Sequence, residues 1–374
     1  TDVLGNRIDL PMNFTRKIPY MLGETDLIKG LQVLPGVKFG NEGFSNLFVR
    51  GGAADQNLFL IDGMPIYNSN HAYGLISIYN PEAISNVQLH KGGFAARYGG
   101  RLSSVVDMTT NDGTPDKIHG SVSVTPLSIK VALAGAFKNK ITTYSLSVRR
   151  SYFDILLKPI FLASGGNLGL NYQDVNAKIT HKIGDDDKVF FTLYYGRDLF
   201  KLSFTEKDSV NNTTKQNIQT KWGNLAGSVR WNHVFNQRLF SSTSIMCSQY
   251  KFDEKFEEDI KLNSGVNSNQ QYNYGTGISD ILIHSDFEYN HHNDHFIRFG
   301  VQTSLRNFNT GKVREIGTGF NNVDDFDVTL GANNQKRGSE IALYAEDDIR
   351  LNQNLKLNAG LRLVAYLYQN KLTY

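Results

Sequence analysis

The sequence predicts a compact mixed α+β region over residues 18–115 followed, over 116–374, by antiparallel strands of a transmembrane β-barrel. Three observations carry this. Hydrophobicity takes up a sustained period of two after Pro115, the turns between those segments alternate between short and long, and 34 Gly with only 8 Pro in 374 residues suit long strands joined by turns. A net charge of +3, from 39 Lys and Arg against 36 Asp and Glu, argues against a strongly basic nucleic-acid surface. The single cysteine, Cys247, excludes an intrachain disulfide and a Cys-rich zinc site. No run approaches the ~18 consecutive apolar residues of a membrane-crossing helix, which leaves strands as the route through a bilayer.

Residues 1–17 read as a linker after a segment that precedes Thr1. A helix-like piece, 26–34, stops at Pro35-Gly36. Two apolar runs, 57–61 and 64–67, flank Asp62-Gly63, the dipeptide that a two-residue type I′ hairpin favours because both positions need φ > 0. Pro81 stands where a helix can begin, with a short strand expected from Val87 to His90.

About eleven strands follow, near 118–125, 128–138, 141–150, 172–183, 188–204, 219–235, 238–252, 276–290, 295–308, 339–351 and 355–370. In the last, Leu355, Leu357, Leu361, Leu363 and Leu367 share one face while Lys356, Asn358, Arg362 and Tyr366 share the other. Short turns near 139–140, 184–187, 236–237, 291–294 and 352–354 alternate with long polar connections at 151–171, 205–218, 253–275 and 310–337. Outer-membrane barrels have this rhythm, with short periplasmic turns and long outer loops. Eleven is odd, so the wall is expected to be incomplete in this chain. The rival reading is a soluble β-sandwich or propeller, against which strands of about fifteen residues weigh.

Leu31-Gln32-Val33-Leu34-Pro35-Gly36-Val37, Val49-Arg50-Gly51-Gly52, the stretch from Gln56 through Asp62-Gly63 to Tyr67, and Phe94 through Arg97-Tyr98-Gly99-Gly100-Arg101 to Asp107 resemble, in that order, the plug domain of TonB-dependent outer-membrane receptors of the Bacteroidetes type. Val148-Arg149-Arg150-Ser151-Tyr152-Phe153-Asp154 and Tyr344-Ala345-Glu346-Asp347-Asp348-Ile349-Arg350 resemble barrel strands of the same group. The resemblance implies a plug inside a barrel of roughly 22 strands. This chain would then be the plug plus the first part of the wall, in the outer membrane of a Gram-negative bacterium. It also implies import of a scarce solute without enzymatic chemistry or cofactor. The implied partners are a TonB-type energy-coupling complex reached through an N-terminal segment, outer-membrane lipid, the remaining C-terminal barrel half and a surface lipoprotein, with no nucleic acid. The alternatives are a barrel subunit that docks a surface or secretion complex, and a soluble carbohydrate-active β-protein.

Candidate site residues follow from the motifs. Gly51-Gly52, Gly63 and Gly99-Gly100 allow positive φ and close backbone approach, next to Asp62 and to the guanidinium groups of Arg50, Arg97 and Arg101. Strand parity places Asp286, Glu346 and Asp348 on the polar inner face, so solvated plug-to-wall charge pairs are expected; the competing reading is that the arginines only brace the plug's own turns. Phe190, Phe191, Tyr194, Tyr195, Phe200 and Phe204 read as interfacial girdle residues. Residues 43–47 lack the second Gly of a nucleophile elbow, and His291, His292 and His295 read as a polar turn rather than a metal site. The acidic run 321–327 lacks the spacing of an EF-hand loop.

Overall fold

The computed structural model describes residues 7–10, 21–38, 47–163, 165–265, 267–292, 294–318, 326–331, 334–368 and 371–373. Residues 43–46 and 321–325 of two of the motifs above lie outside them.

The N-terminal domain contains β1 (Arg7–Leu10), α1 (Leu27–Gln32), β2 (Val37–Lys38), β3 (Phe48–Val49), β4 (Asn57–Ile61), β5 (Met64–Pro65), β6 (Asn70–His71), β7 (Ile76–Ser77), β8 (Ile84–Lys91) and β9 (Ser104–Thr110). Asp26 starts α1 because its Oδ1 accepts the free N–H groups of Ile28 at 2.9 Å and Lys29 at 3.2 Å. α1 ends at Gln32 with Val33 as its C-cap, and Gly36, at φ 78°, turns the chain into β2. Between β4 and β5, Asp62 (φ 48°) and Gly63 (φ 83°) both take the left-handed conformation that a type I′ hairpin needs. Pro81 opens a turn and no helix: Ala83 N–H donates to the Asn80 carbonyl at 3.0 Å, and β8 begins one residue later. The main sheet runs β1-β8-β9-β4-β5, with β4 and β9 parallel. Arg7–Leu10, inside the stretch read as a linker, supplies its edge strand by pairing with 87–90. Leu27, Ile28, Leu31, Val87, Leu89, Val106 and Met108 fill the core beneath this sheet.

The wall comprises β10 (His119–Val124), β11 (Ser128–Ala136), β12 (Thr142–Ser151), β13 (Gly166–Lys182), β14 (Asp187–Lys207), β15 (Thr213–Asn236), β16 (Leu239–Lys261), β17 (Asn267–His292), β18 (His295–Thr318), β19 (Phe326–Leu330), β20 (Gln335–Arg350), β21 (Lys356–Tyr368) and β22 (Lys371–Thr373). Each pairs antiparallel with the next in the sheet, except that β18 passes to β20 directly while β19 pairs with the upper part of β18. The helix α2 (Phe153–Ala163) joins β12 to β13. One face carries an apolar band: Val301, Leu343 and Leu363 stand side by side across three strands, 37%, 54% and 61% exposed. The opposite face wraps the N-terminal domain and holds buried polar side chains such as Lys130, Arg149, Asp174 and Glu346. This arrangement, apolar outside and polar inside, is that of a transmembrane β-barrel wall.

Two further expectations are corrected. Much of the long connections at 205–218, 253–275 and 310–337 is strand, because β14 to β18 continue as tall hairpins beyond the apolar band. Water wets both faces there, so alternation of hydrophobicity disappears while the hydrogen-bond ladder continues. Phe190, Tyr194 and Phe200 are not girdle residues: Phe190 and Tyr194 are buried, and Phe200 meets Tyr73 of the N-terminal domain. Phe191, 48% exposed, has the outward parity.

Candidate functional site: a plug-to-wall seam and an aromatic mouth

Seven of the proposed site residues lie along the seam between domain and wall. Arg97 Nη1 donates to Glu346 Oε1 at 2.8 Å, and Arg298 Nη1 bridges Glu346 at 3.4 Å and Asp348 at 2.8 Å. Asp286 accepts the Tyr344 hydroxyl at 2.6 Å. A Cβ on Gly99 would sit 2.6 Å from Arg362 Nε, so any larger residue here would push the Arg362 guanidinium aside. Arg362 Nη1 in turn donates to the carbonyls of Ala96 at 3.3 Å and Arg97 at 3.2 Å. The Asp62 carboxylate accepts from Thr110 N–H at 3.1 Å and pairs with Lys178 of β13 at 3.2 Å. Its neighbour Gly63 comes close to Met246 of β16.

The others serve the domain itself. Arg50 (φ 49°) and Gly51 (φ 83°) form a turn in which Arg50 N–H donates to the Gly36 carbonyl at 2.9 Å. A Cβ on Gly52 would collide with Ser103. Gly100 has φ 75°, and Arg101 Nη1 donates to its carbonyl at 2.8 Å. No carboxylate among the described residues forms an ion pair with Arg101.

Sequence reasoning missed the most deeply buried part of the seam. His71, at the end of β6, has Nε2 2.6 Å from Asp174 Oδ1 of β13 and Nδ1 2.5 Å from Asp198 Oδ2 of β14. Arg149 of β12, completely buried, donates Nε to Asp174 Oδ2 at 2.6 Å and Nη2 to the Ser77 carbonyl at 2.8 Å. The His71 ring stacks on Tyr172, with centroids 4.6 Å apart. Burial by itself lowers the imidazole pKa, but the Asp174 and Asp198 carboxylates outweigh it and raise it to about 9. His71 is therefore an imidazolium at neutral pH. Glu24 with Lys130 and Ser128, and Tyr67 with Asp280, make further contacts across the seam. Ile61 and Met64 share an apolar cluster with Tyr194, Ala226, Met246 and Leu282. This part of the seam is buried, where solvated charge pairs were expected, while the Arg97–Glu346 pair keeps a partly exposed arginine.

Next to His71 the chain is strained. Ala72 (φ 49°) and Tyr73 (φ 57°) occupy the left-handed region in succession, before Gly74 at φ 99°. Ala72 N–H donates to Asp198 Oδ1 at 2.8 Å, which holds the turn in place. The result presents Tyr73, 53% exposed, to the tall hairpins. Its ring centroid lies 4.6 Å from Trp222 and 5.8 Å from Phe200, and Trp222 continues to Phe252 at 6.5 Å and Phe252 to Tyr274 at 6.2 Å. This row of rings crosses four strands at the end of the wall opposite the short turns. The loop between β5 and β6 meets two of the same strands, where Asn224 Nδ2 donates to the Asn68 carbonyl at 2.7 Å and Asn68 Nδ2 to Tyr250 Oη at 3.3 Å. Toward the short turns a cavity of about 620 Å³ separates domain and wall, lined by Tyr67, Arg97, Arg101, Arg230, His284 and Arg362 among others.

His295 Nδ1 lies 2.7 Å from Asp347 Oδ2 and His292 Nδ1 3.6 Å from Asp294, so these histidines are engaged in the short-turn region. No group of His, Cys, Asp and Glu able to hold a metal occurs among the described residues.

Residues 17–106 match the family model described as TonB-dependent Receptor Plug Domain. The ferric enterobactin receptor PirA of Pseudomonas aeruginosa is 23% identical over 90% of this chain and 51% of its own length. The chain therefore spans about half the length of this curated relative. Among solved structures, FpvA of P. aeruginosa bound to heterologous pyoverdines aligns with TM-score 0.60 at 12% identity, covering 96% of this chain and 52% of FpvA. The RagAB peptide importer aligns with TM-score 0.58 at 10% identity, covering 98% of this chain and 57% of the matched one. These structural likenesses establish the fold.

Proposed function

We infer from the chain's membership of the TonB-dependent receptors, outer-membrane proteins that are not enzymes, that it forms the plug and first part of the wall of an energy-coupled importer. The tall hairpins and the aromatic mouth face the exterior, capture a scarce solute, and hold it against the strained turn at Ala72 and Tyr73. A TonB-type complex, engaging a segment N-terminal to the plug, pulls the plug so that the cavity beside Arg97 and Arg362 opens into a path. The observation that carries this reading is a single connected unit in which the solute-facing turn is bonded through His71 to Asp174 and Asp198 of the wall.

Tags placed after Asn212, between β14 and β15, and after His292, between β17 and β18, test the orientation in the full-length protein. The first should be labelled from outside intact cells and the second only after the outer membrane is opened. Labelling of both from outside would overturn the topology. Solute uptake that continues undiminished without the energy-coupling complex would overturn the importer reading.

A further inference from the structure

The two faces of the tall hairpins differ in charge more sharply than a solvated loop requires. Tyr73 rests on Phe200 and Trp222, so those positions mark the inner face of β14 and β15. Antiparallel registers then carry that face upward by twos: Phe200 opposite Thr220, Phe204 opposite Gln216 and Glu206 opposite Thr214. On β15 to β17 the same face holds Trp222 opposite Phe252, Thr220 opposite Glu254 and Gln216 opposite Glu258, with Tyr274 and Tyr272 next to Glu254 and Phe256. Along β14 to β17, from Tyr73's contacts to the hairpin tips, no Lys or Arg of the described residues occupies this inner face. The outer face of the same strands bears Lys201, Lys207, Lys215, Lys221, Lys251 and Lys255.

We propose that the mouth selects solutes bearing a positive charge beside an apolar or ring surface, an inference that rests on the importer reading above. Aromatic faces offer a negative quadrupole to a cation. The carboxylates of Glu206, Glu254 and Glu258 add a negative potential on the same wall, and Glu254 lies near enough to Tyr73 to act on its hydroxyl electrostatically. An anionic solute meets repulsion from these groups, with no Lys or Arg among the described residues on the inner face of these four strands, from Tyr73's contacts to the tips, to offset it. The lysines are turned to the opposite face, where they leave the mouth's potential negative. Sequence alone shows a mixed polar loop; the register separates its charges.

The test uses the full-length receptor in detergent at low salt and two fluorescent probes, a tetralysine and a tetraglutamate peptide, followed by anisotropy. Tetralysine should bind at least about tenfold more tightly than tetraglutamate. The double substitution Glu254→Gln and Glu258→Gln should weaken tetralysine about tenfold. Lys207→Gln, on the outer face, should leave tetralysine affinity unchanged. Equal binding of the two peptides, tighter binding of the anion, or a double variant that keeps its tetralysine affinity would overturn the proposal. A folded wall in each variant is checked by its heat-modifiable mobility, and Trp222→Leu provides an independent loss of ring surface should the double variant misfold. Uptake independent of energy coupling would remove the importer reading while leaving the probe result intact. Coupled uptake of an anion together with equal probe affinities would remove only the selectivity.

Discussion

At the scale of the residue, Asp174 bears the greatest electrostatic weight. One carboxylate, completely buried, serves the Arg149 guanidinium, the His71 imidazolium and the Tyr194 hydroxyl at 3.1 Å. Removing one partner from a buried ionic group costs about 3–5 kcal/mol because the others keep their charge without compensation. Asp174→Asn should therefore lower the unfolding free energy of the full-length protein by about that amount, measured as a shift in denaturant midpoint. Phe in place of Tyr194 removes only a hydroxyl and should cost far less. His71 adds a pH dependence with a definite sign. Its folded pKa, about 9, lies above the unfolded value of 6.5, so its contribution is full below about 6.5 and is lost as pH rises through about 9. The stability gap between the wild type and His71→Asn should be largest near pH 6 and shrink by pH 10 in thermal unfolding scans. A gap that widens with pH would mean that the ring is neutral in the folded state. None of this cluster was legible in the sequence. His71 lies 103 residues from Asp174 and 127 from Asp198, and no local spacing links them. Asp62-Gly63 was legible because its constraint, two positive φ angles in a row, is local.

At the scale of the element, parity is the readable quantity and strand length is not. Leu361 and Leu363 are 66% and 61% exposed on the apolar face, while Arg362 between them reaches the carbonyls of Ala96 and Arg97. Period two held this pattern because lipid and plug place opposite demands on alternate side chains. Leu361→Arg puts a guanidinium into that band and should cost roughly 2–4 kcal/mol if it lies near the bilayer midplane, less toward an interface. Urea-dependent folding into lipid vesicles measures it, and a neutral result would move Leu361 out of the hydrocarbon. Above the band the demand vanishes. Thr213, Lys215 and Gln216 pair with Lys261, Asp259 and Glu258 in regular ladder, yet nothing in their hydrophobicity distinguishes them from a loop. Phe252 with Phe256 and Tyr272 with Tyr274, all on the inner face, were the available clue to continued strand, since evenly spaced rings fall on one face of a strand.

At the scale of the whole molecule, the question is how a plug bonded to the wall on so many strands can move. The buried cluster at His71, Asp174 and Arg149 and the apolar contact of Met64 with Met246 resist displacement together. The contact between Arg97 and Glu346 differs: the carboxylate is fully buried, but the guanidinium retains 23% exposure and borders the 620 Å³ cavity. Water can enter there first, and hydrated ion pairs separate at about 0–1 kcal/mol rather than several. On the proposed importer function, pulling would open the seam from the cavity side while the cluster behind the turn at Ala72 and Tyr73 stays closed. Arg97→Gln should leave the wall folded yet raise passive leakage of small solutes in the absence of energy coupling, read as antibiotic sensitivity of intact cells or swelling of proteoliposomes. Glu346→Gln should leak similarly, since it strips the same pair and also frees Arg298 from one of its carboxylates. Arg101→Gln gives the decisive comparison, because among the described residues its side chain hydrogen-bonds only to the Gly100 carbonyl. If Arg101→Gln leaks as much as Arg97→Gln, leakage reflects a loosened plug loop and the cavity-side pair is not the first contact to yield.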